Sequence, residues 1–158
     1  MFRELTRKKQ ALSINEAKEL LKTSKRGTLA VLGDEDYPYA VPINHYFDEE
    51  SNKIYFHGGK NGHKIDSIIK HEKVSYCVID DGHQEEGNWH YDFKSVIVFG
   101  KARIIDDYDE VISVCKKLSY QFTTDEAYIQ DEIEHFGKAT RCIELSIEHI
   151  SGKIVHEK

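Results

Sequence analysis

Apolar residues along the chain switch between a helical and a strand period. Ile14, Ala17, Leu20 and Leu21 share one helical face, behind a Ser13-Ile14-Asn15-Glu16 segment of capping-box form. This predicts a short amphipathic helix that ends near Ser24. Lys25-Arg26-Gly27 then turns the chain into a buried strand, Thr28 to Leu32, and Gly33 to Asp36 makes a polar turn of hairpin length. From Tyr39 to Phe47 the period is two. Tyr39, Val41, Ile43, His45 and Phe47 fall on one face, and Ala40, Pro42, Asn44 and Tyr46 on the other. Pro42 cannot donate to a sheet ladder, so the segment is either an ordinary edge strand or one where the sheet opens locally.

Asp48 to Asn52 is a second turn, followed by a third strand at Lys53 to His57. The segment after Gly62 returns to helical spacing, with Ile65, Ile68 and Ile69 as its apolar face. A fourth strand, Val74 to Ile79, is rich in β-branched residues, and a polar loop from Asp80 to His90 carries the one tryptophan, Trp89. Ser95 to Ile105 makes a long fifth strand, with Gly100 marking a bulge or bend. Asp106-Asp107 caps a helix whose apolar face is Val111, Cys115, Leu118 and Phe122. A further helix with Tyr128, Ile129, Ile133 and Phe136 runs to Gly137. Thr140 to Ile147 is the last strand, before a tail at Ile150-Ser151-Gly152-Lys153. Hairpins early and helices late give an α+β, mainly β, class: a six-stranded antiparallel barrel with peripheral helices and a short helical crossover between strands three and four.

At 158 residues, with two prolines and no linker-like run, the chain is expected to be one domain, 1–158, with its core at about 10–153. A net charge of −6 argues against general nucleic-acid binding. No apolar run has the length of a membrane span, and Met1 to Gln10 is charged rather than leader-like. Cys77, Cys115 and Cys142 are odd in number, lack C-x-x-C spacing and lie in predicted strands or on a helix face. Reduced, buried thiols and a cytoplasmic location are expected. His83, Glu85, Glu86 and His90 share a loop but match no metal signature, so no metal site is assigned.

The chemistry concentrates in Tyr37 to His71. Strand, turn, strand, the glycine-rich Gly58-Gly59-Lys60-Asn61-Gly62 and the helix start His63-Lys64 follow one another there. Backbone N–H groups at a helix N-terminus favour an anion, and a lysine and histidine reinforce them. A phosphate is the economical ligand.

Four segments in this order resemble a known family: Val41-Pro42-Ile43-Asn44, Tyr55-Phe56-His57-Gly58-Gly59-Lys60-Asn61-Gly62-His63-Lys64, Ser95-Val96-Ile97-Val98-Phe99-Gly100-Lys101-Ala102, and Leu145-Ser146-Ile147 with Ile150-Ser151-Gly152-Lys153. Together they are similar to the FMN-binding split barrel of the pyridoxamine 5'-phosphate oxidase-like proteins, and within it to the nitroimidazole-resistance (Nim) branch. The resemblance implies a homodimer of split barrels with FMN in the subunit interface. Val41, Pro42, Ile43 and Asn44 would then run along the flavin, together with Phe56, while Gly62, His63 and Lys64 hold its phosphate. His57 would face flavin and substrate as the catalytic residue, and Trp89 and Ser95 would approach from the partner subunit. Trp89 reads equally well as an interface anchor.

The implied activity is that of an FMN-dependent oxidoreductase, nitroreductase-like, taking electrons from a reduced pyridine nucleotide or another donor to a small acceptor. The alternatives are a non-catalytic flavin-binding protein, a haem-binding one, and a deazaflavin in place of FMN. True pyridoxamine-phosphate oxidase activity is disfavoured, since the chain shows no arginine-rich pattern near its C-terminus for a substrate phosphate.

Overall fold

The structure is a computed structural model and describes residues 1–157. Its elements are α1 (Ile14–Thr23), β1 (Arg26–Leu32), β2 (Pro38–Asn44), β3 (Tyr46–Asp48), β4 (Lys53–Gly59), α2 (His63–Lys70), β5 (Lys73–Ile79), β6 (Asp92–Ile105), α3 (Tyr108–Ser119), α4 (Glu126–Phe136) and β7 (Thr140–His156). The strands form one antiparallel sheet in the order β2-β1-β5-β6-β7-β4-β3. β2 and β3 thus lie at opposite ends, which a flat sheet would hold roughly 29 Å apart. Yet only His45 separates them in the chain. The sheet must curl until its edges meet, and the result is a split barrel.

Seven strands replace the six expected, because Tyr39 to Phe47 breaks at His45. The His45 N–H bonds to the Lys25 carbonyl (3.0 Å), and its own carbonyl accepts from the Gln121 side-chain amide (2.7 Å). Those partners take His45 out of the ladder and let the chain cross between edges. Pro42 sits on the edge strand β2, within an unbroken register from Arg26↔Asn44 to Leu32↔Pro38. The sheet does not open there, and the ordinary edge strand accounts for the proline.

Gly100 marks a bulge as expected: the β6–β7 register shifts between Phe99 and Gly100, where any Cβ would collide with the Ser146 carbonyl. β7 runs to His156, well past the Ile147 expected. The glycine in its tail serves close packing rather than a turn, since a Cβ on Gly152 would stand 3.1 Å from that of Ala17 on α1.

Leu29, Ile54, Phe56, Tyr76, Val78, Val96, Val98, Ile143 and Leu145 fill the barrel, and Ala17 and Leu21 of α1 pack into the same core. Ser13 and Glu16 form the anticipated capping box at the start of α1. α2 crosses from β4 to β5, which are not neighbours in the sheet. It buries Ile65 and Ile68 but leaves Ile69 exposed, so its apolar face is narrower than the spacing suggested. Outside the barrel, α3 covers β6 and β7 through Val111, Val114 and Leu118, against Ile105 and Cys142. All three cysteines are free; Cys142 is buried and Cys115 half-buried. Cys77 departs from expectation. It projects from β5 on the uncovered face of the sheet and is exposed.

Candidate functional site

Strand alternation decides where β4 presents its side chains. Ile54 and Phe56 enter the core, so His57 points out of the barrel, opposite Cys142 of β7. α3 and α4 overhang this side and leave two hollows that both touch His57. One, of about 180 Å³, is lined by Cys115, Ser119, Glu132 and Phe136. The other, of about 240 Å³, is lined by Asn44, Ser119, Phe122, Tyr128 and Glu132. His57 is itself exposed, and only its partial desolvation beside this roof, with the Lys64 ammonium, pushes its proton affinity down. Asn44 is oriented by Arg26, whose Nε donates to its Oδ1 at 2.7 Å.

β4 ends in Gly58 and Gly59, and the chain enters α2 through Gly62. That residue has φ 138°, which favours glycine, and no side chain caps the helix. The first-turn N–H groups therefore face outward with the positive end of the helix dipole. The Lys64 side chain folds back over β4: a Cβ on Gly58 would lie 3.0 Å from its Nζ. Among the described residues Lys64 makes no ion pair. His63 turns the other way. Its Nε2 accepts the Asp34 N–H at 3.1 Å, and its ring stacks on Tyr39 with centroids 4.1 Å apart. An anion at this end would meet the helix N–H groups and Lys64, while the His63 ring ties the β1–β2 turn to α2.

The structure thus brings Asn44 and His57 to one hollow and Lys64 beside them. Val41 and Ile43 are half-buried and pack against the core, and Phe56 is fully buried within it. Pro42 is exposed on the outer sheet face. Trp89 is 78% exposed on the β5–β6 loop, and Ser95 is half-buried on β6 between Ile79 and Lys153. Neither lines the His57 hollows.

The helical roof over His57 escaped the sequence reading. Phe122, Tyr128 and Phe136 looked like buried faces of their helices, yet all three are more than half exposed and border the hollows. Their apolar character was the available signal, but it marks a ligand-facing wall as readily as a core. Among the described residues no three His, Cys, Asp or Glu side chains converge as metal ligands, and no helix is long and apolar enough to cross a membrane.

The fold is similar to that of a proposed 5-nitroimidazole antibiotic resistance protein from Bacteroides thetaiotaomicron, with TM-score 0.76, 16% identity, and coverage of 92% of this chain and 87% of that one. It is similar to a FAD-binding protein from Mesorhizobium loti, with TM-score 0.66, 21% identity, and 92% and 97% coverage. A FAD and haem binding protein from Mycobacterium smegmatis matches with TM-score 0.72 and 19% identity, over 95% of this chain and 74% of that one. Comparison with curated protein sequences gives no match. The family model for pyridoxamine 5'-phosphate oxidase matches residues 13–154. That span takes in the capping box of α1, the His57 strand, the Gly62–Lys64 helix start and nearly all of β7, and by it the chain belongs to the pyridoxamine 5'-phosphate oxidase family.

Proposed function

We propose that the protein is an FMN-dependent oxidoreductase of nitroreductase type, working as a homodimer. The observation that carries this is the sequence of groups along β4 and α2: His57 on the overhung face, Lys64 folded over Gly58, and an uncapped helix N-terminus. These residues fit a flavin phosphate, because the helix N–H groups and Lys64 supply both directed donors and a compensating charge. Bound flavin would supply two-electron transfer between a reduced pyridine nucleotide and a small acceptor.

The chain supplies the rest. Asn44, fixed by Arg26, offers a polar edge toward the hollow, and side chains of α3 and α4 wall one side of it. His57, held below the ordinary imidazole range in the free protein, would relay a proton to the reduced acceptor. The partner surface is the uncovered sheet face, where Leu32, Ile79, Ile97 and Phe99 are exposed across β1, β5 and β6. Similarity to the Bacteroides protein supports the nitro-group acceptor, while the FAD-binding neighbours make FAD the competing flavin.

The test is an absorbance spectrum of purified protein, mass analysis of any cofactor released on denaturation, and turnover of a nitroaromatic with NADPH. FMN release and turnover are expected. His57→Gln is expected to keep its flavin and lose about 10²-fold in turnover. A preparation that neither holds nor binds added FMN overturns the proposal; released FAD or haem would replace the cofactor, and FMN without turnover would make the protein a carrier.

A further inference from the structure

Cys115 of α3 and Cys142 of β7 stand with their sulfurs 3.9 Å apart, although 26 residues intervene in the chain. Cys142 has no solvent exposure, and its Sγ also lies 3.7 Å from the Val111 carbonyl, to which the thiol donates. Cys115 is half-buried and lines the 180 Å³ hollow beside His57. One sulfur is therefore open to a small solute, and the other waits behind it.

We propose that Cys115 and Cys142 form an oxidant-sensitive dithiol, which hydrogen peroxide converts into an intramolecular disulfide. In the first step the Cys115 thiolate attacks one peroxide oxygen. The O–O bond breaks, the departing hydroxide takes a proton to become water, and Cys115 becomes a sulfenic acid. In the second step the Cys142 sulfur attacks that of Cys115, an S–S bond forms, and the sulfenic oxygen leaves with the Cys142 proton as a second water. Two thiols are oxidised by two electrons and one peroxide is reduced to two waters.

The order of attack follows from the setting. The hollow admits peroxide to Cys115 and not to Cys142. The neighbouring Cys115 and full burial push the Cys142 thiol up, so Cys142 is the later of the two to ionise. A disulfide needs its sulfurs about 2.05 Å apart, so the pair must close by roughly 1.9 Å. The bond would tie α3 to β7 directly beside the strand position that carries His57.

The experiment uses the reduced full-length protein, treated with hydrogen peroxide, quenched with catalase, then denatured and alkylated with N-ethylmaleimide. Expected are a mass lower by two hydrogens, alkylation of one thiol of the three, and a non-reduced peptide linking Cys115 to Cys142 that dithiothreitol releases. Cys77, exposed on the uncovered face, should carry the surviving label. In Cys142→Ser, dimedone should trap a sulfenic acid at Cys115. If that variant does not fold, the wild-type peptide map decides alone. Three alkylated thiols after peroxide, oxidation confined to Cys77, or Cys115 driven to sulfinic acid without a cross-link would each overturn the proposal.

Discussion

His45 is buried with no exposure, and its ring is held at both ends. Nε2 lies 2.8 Å from the Leu21 carbonyl and Nδ1 2.6 Å from the Tyr76 hydroxyl. The proton therefore sits on Nε2, while Tyr76 donates to Nδ1. Burial pushes the pKa of His45 below its ordinary value, against a smaller opposing contribution from the Leu21 carbonyl. As pH falls, the unfolded chain, with a histidine pKa of about 6.5, takes up this proton before the folded one does. The contribution of His45 is thus complete above that value and is lost as pH falls toward the folded pKa. Urea midpoints measured from pH 7.5 to 5.5 should decline. His45→Gln should cost about 2 kcal/mol at pH 7.5 and flatten the decline. An unchanged slope in the variant would assign it to other groups. His45 looked like one more alternating residue in the sequence, because nothing local distinguishes a strand position from a crossing point between sheet edges.

At the level of elements, one carboxylate ties four of them together. Glu144 of β7 is buried, accepts from Arg103 Nε and Nη2 of β6 at 3.0 and 2.9 Å, and pairs with Lys53 of β4 at 3.0 Å. Arg103 also reaches Glu110 of α3 at 3.0 Å. Burial alone would raise the Glu144 pKa, but the bonds from Arg103 and Lys53 outweigh it and hold the carboxyl below its usual range. This contribution is present above the unfolded carboxylate value of about 4.3 and disappears as pH falls through the folded one. Glu144→Ala should destabilise by about 2 kcal/mol, less than for a fully enclosed pair because Arg103 and Lys53 still reach water. Denaturation at pH 7 measures the loss, and a change below 0.5 kcal/mol would demote the network to surface decoration. The caps of α1 and α3, by contrast, were readable from Ser13 and from Asp106-Asp107, since capping is a bond between residues three apart, whereas the Asp125 cap of α4 came only with the structure.

For the whole molecule, the sheet has two unlike outer regions. α3 covers the β4–β7–β6 side with α4 packed on it, while β1, β5 and β6 leave Leu32, Ile79 and Ile97 exposed and Phe99 stacked beneath Phe2. Ile97 lies between Cys77 of β5 and Ser151 of β7, near the middle of that patch. The proposed homodimer would bury this face, since exposed apolar side chains grouped on one face favour association. Ile97→Glu should halve the mass found by light scattering while leaving the circular dichroism spectrum unchanged, since the side chain stands outside the core. A wild-type monomer would remove the homodimer from the proposed function.

The sequence by itself determined the α+β class, most of the strands, the caps of α1 and α3, the Gly100 bulge and the passage from strand to helix between His57 and Lys64. Each rests on periodicity or on groups a few residues apart, and such signals survive without knowledge of the fold. Only the tertiary structure decided that His45 splits a strand, that Gly152 belongs inside one, and that Phe122, Tyr128 and Glu132 roof the His57 hollow. The meeting of Cys115 with Cys142, and of Arg103 with Glu144, was settled there too. These depend on how far the sheet curls and where α3 and α4 come to rest against it. Both are consequences of long-range packing, which no local pattern of residues encodes.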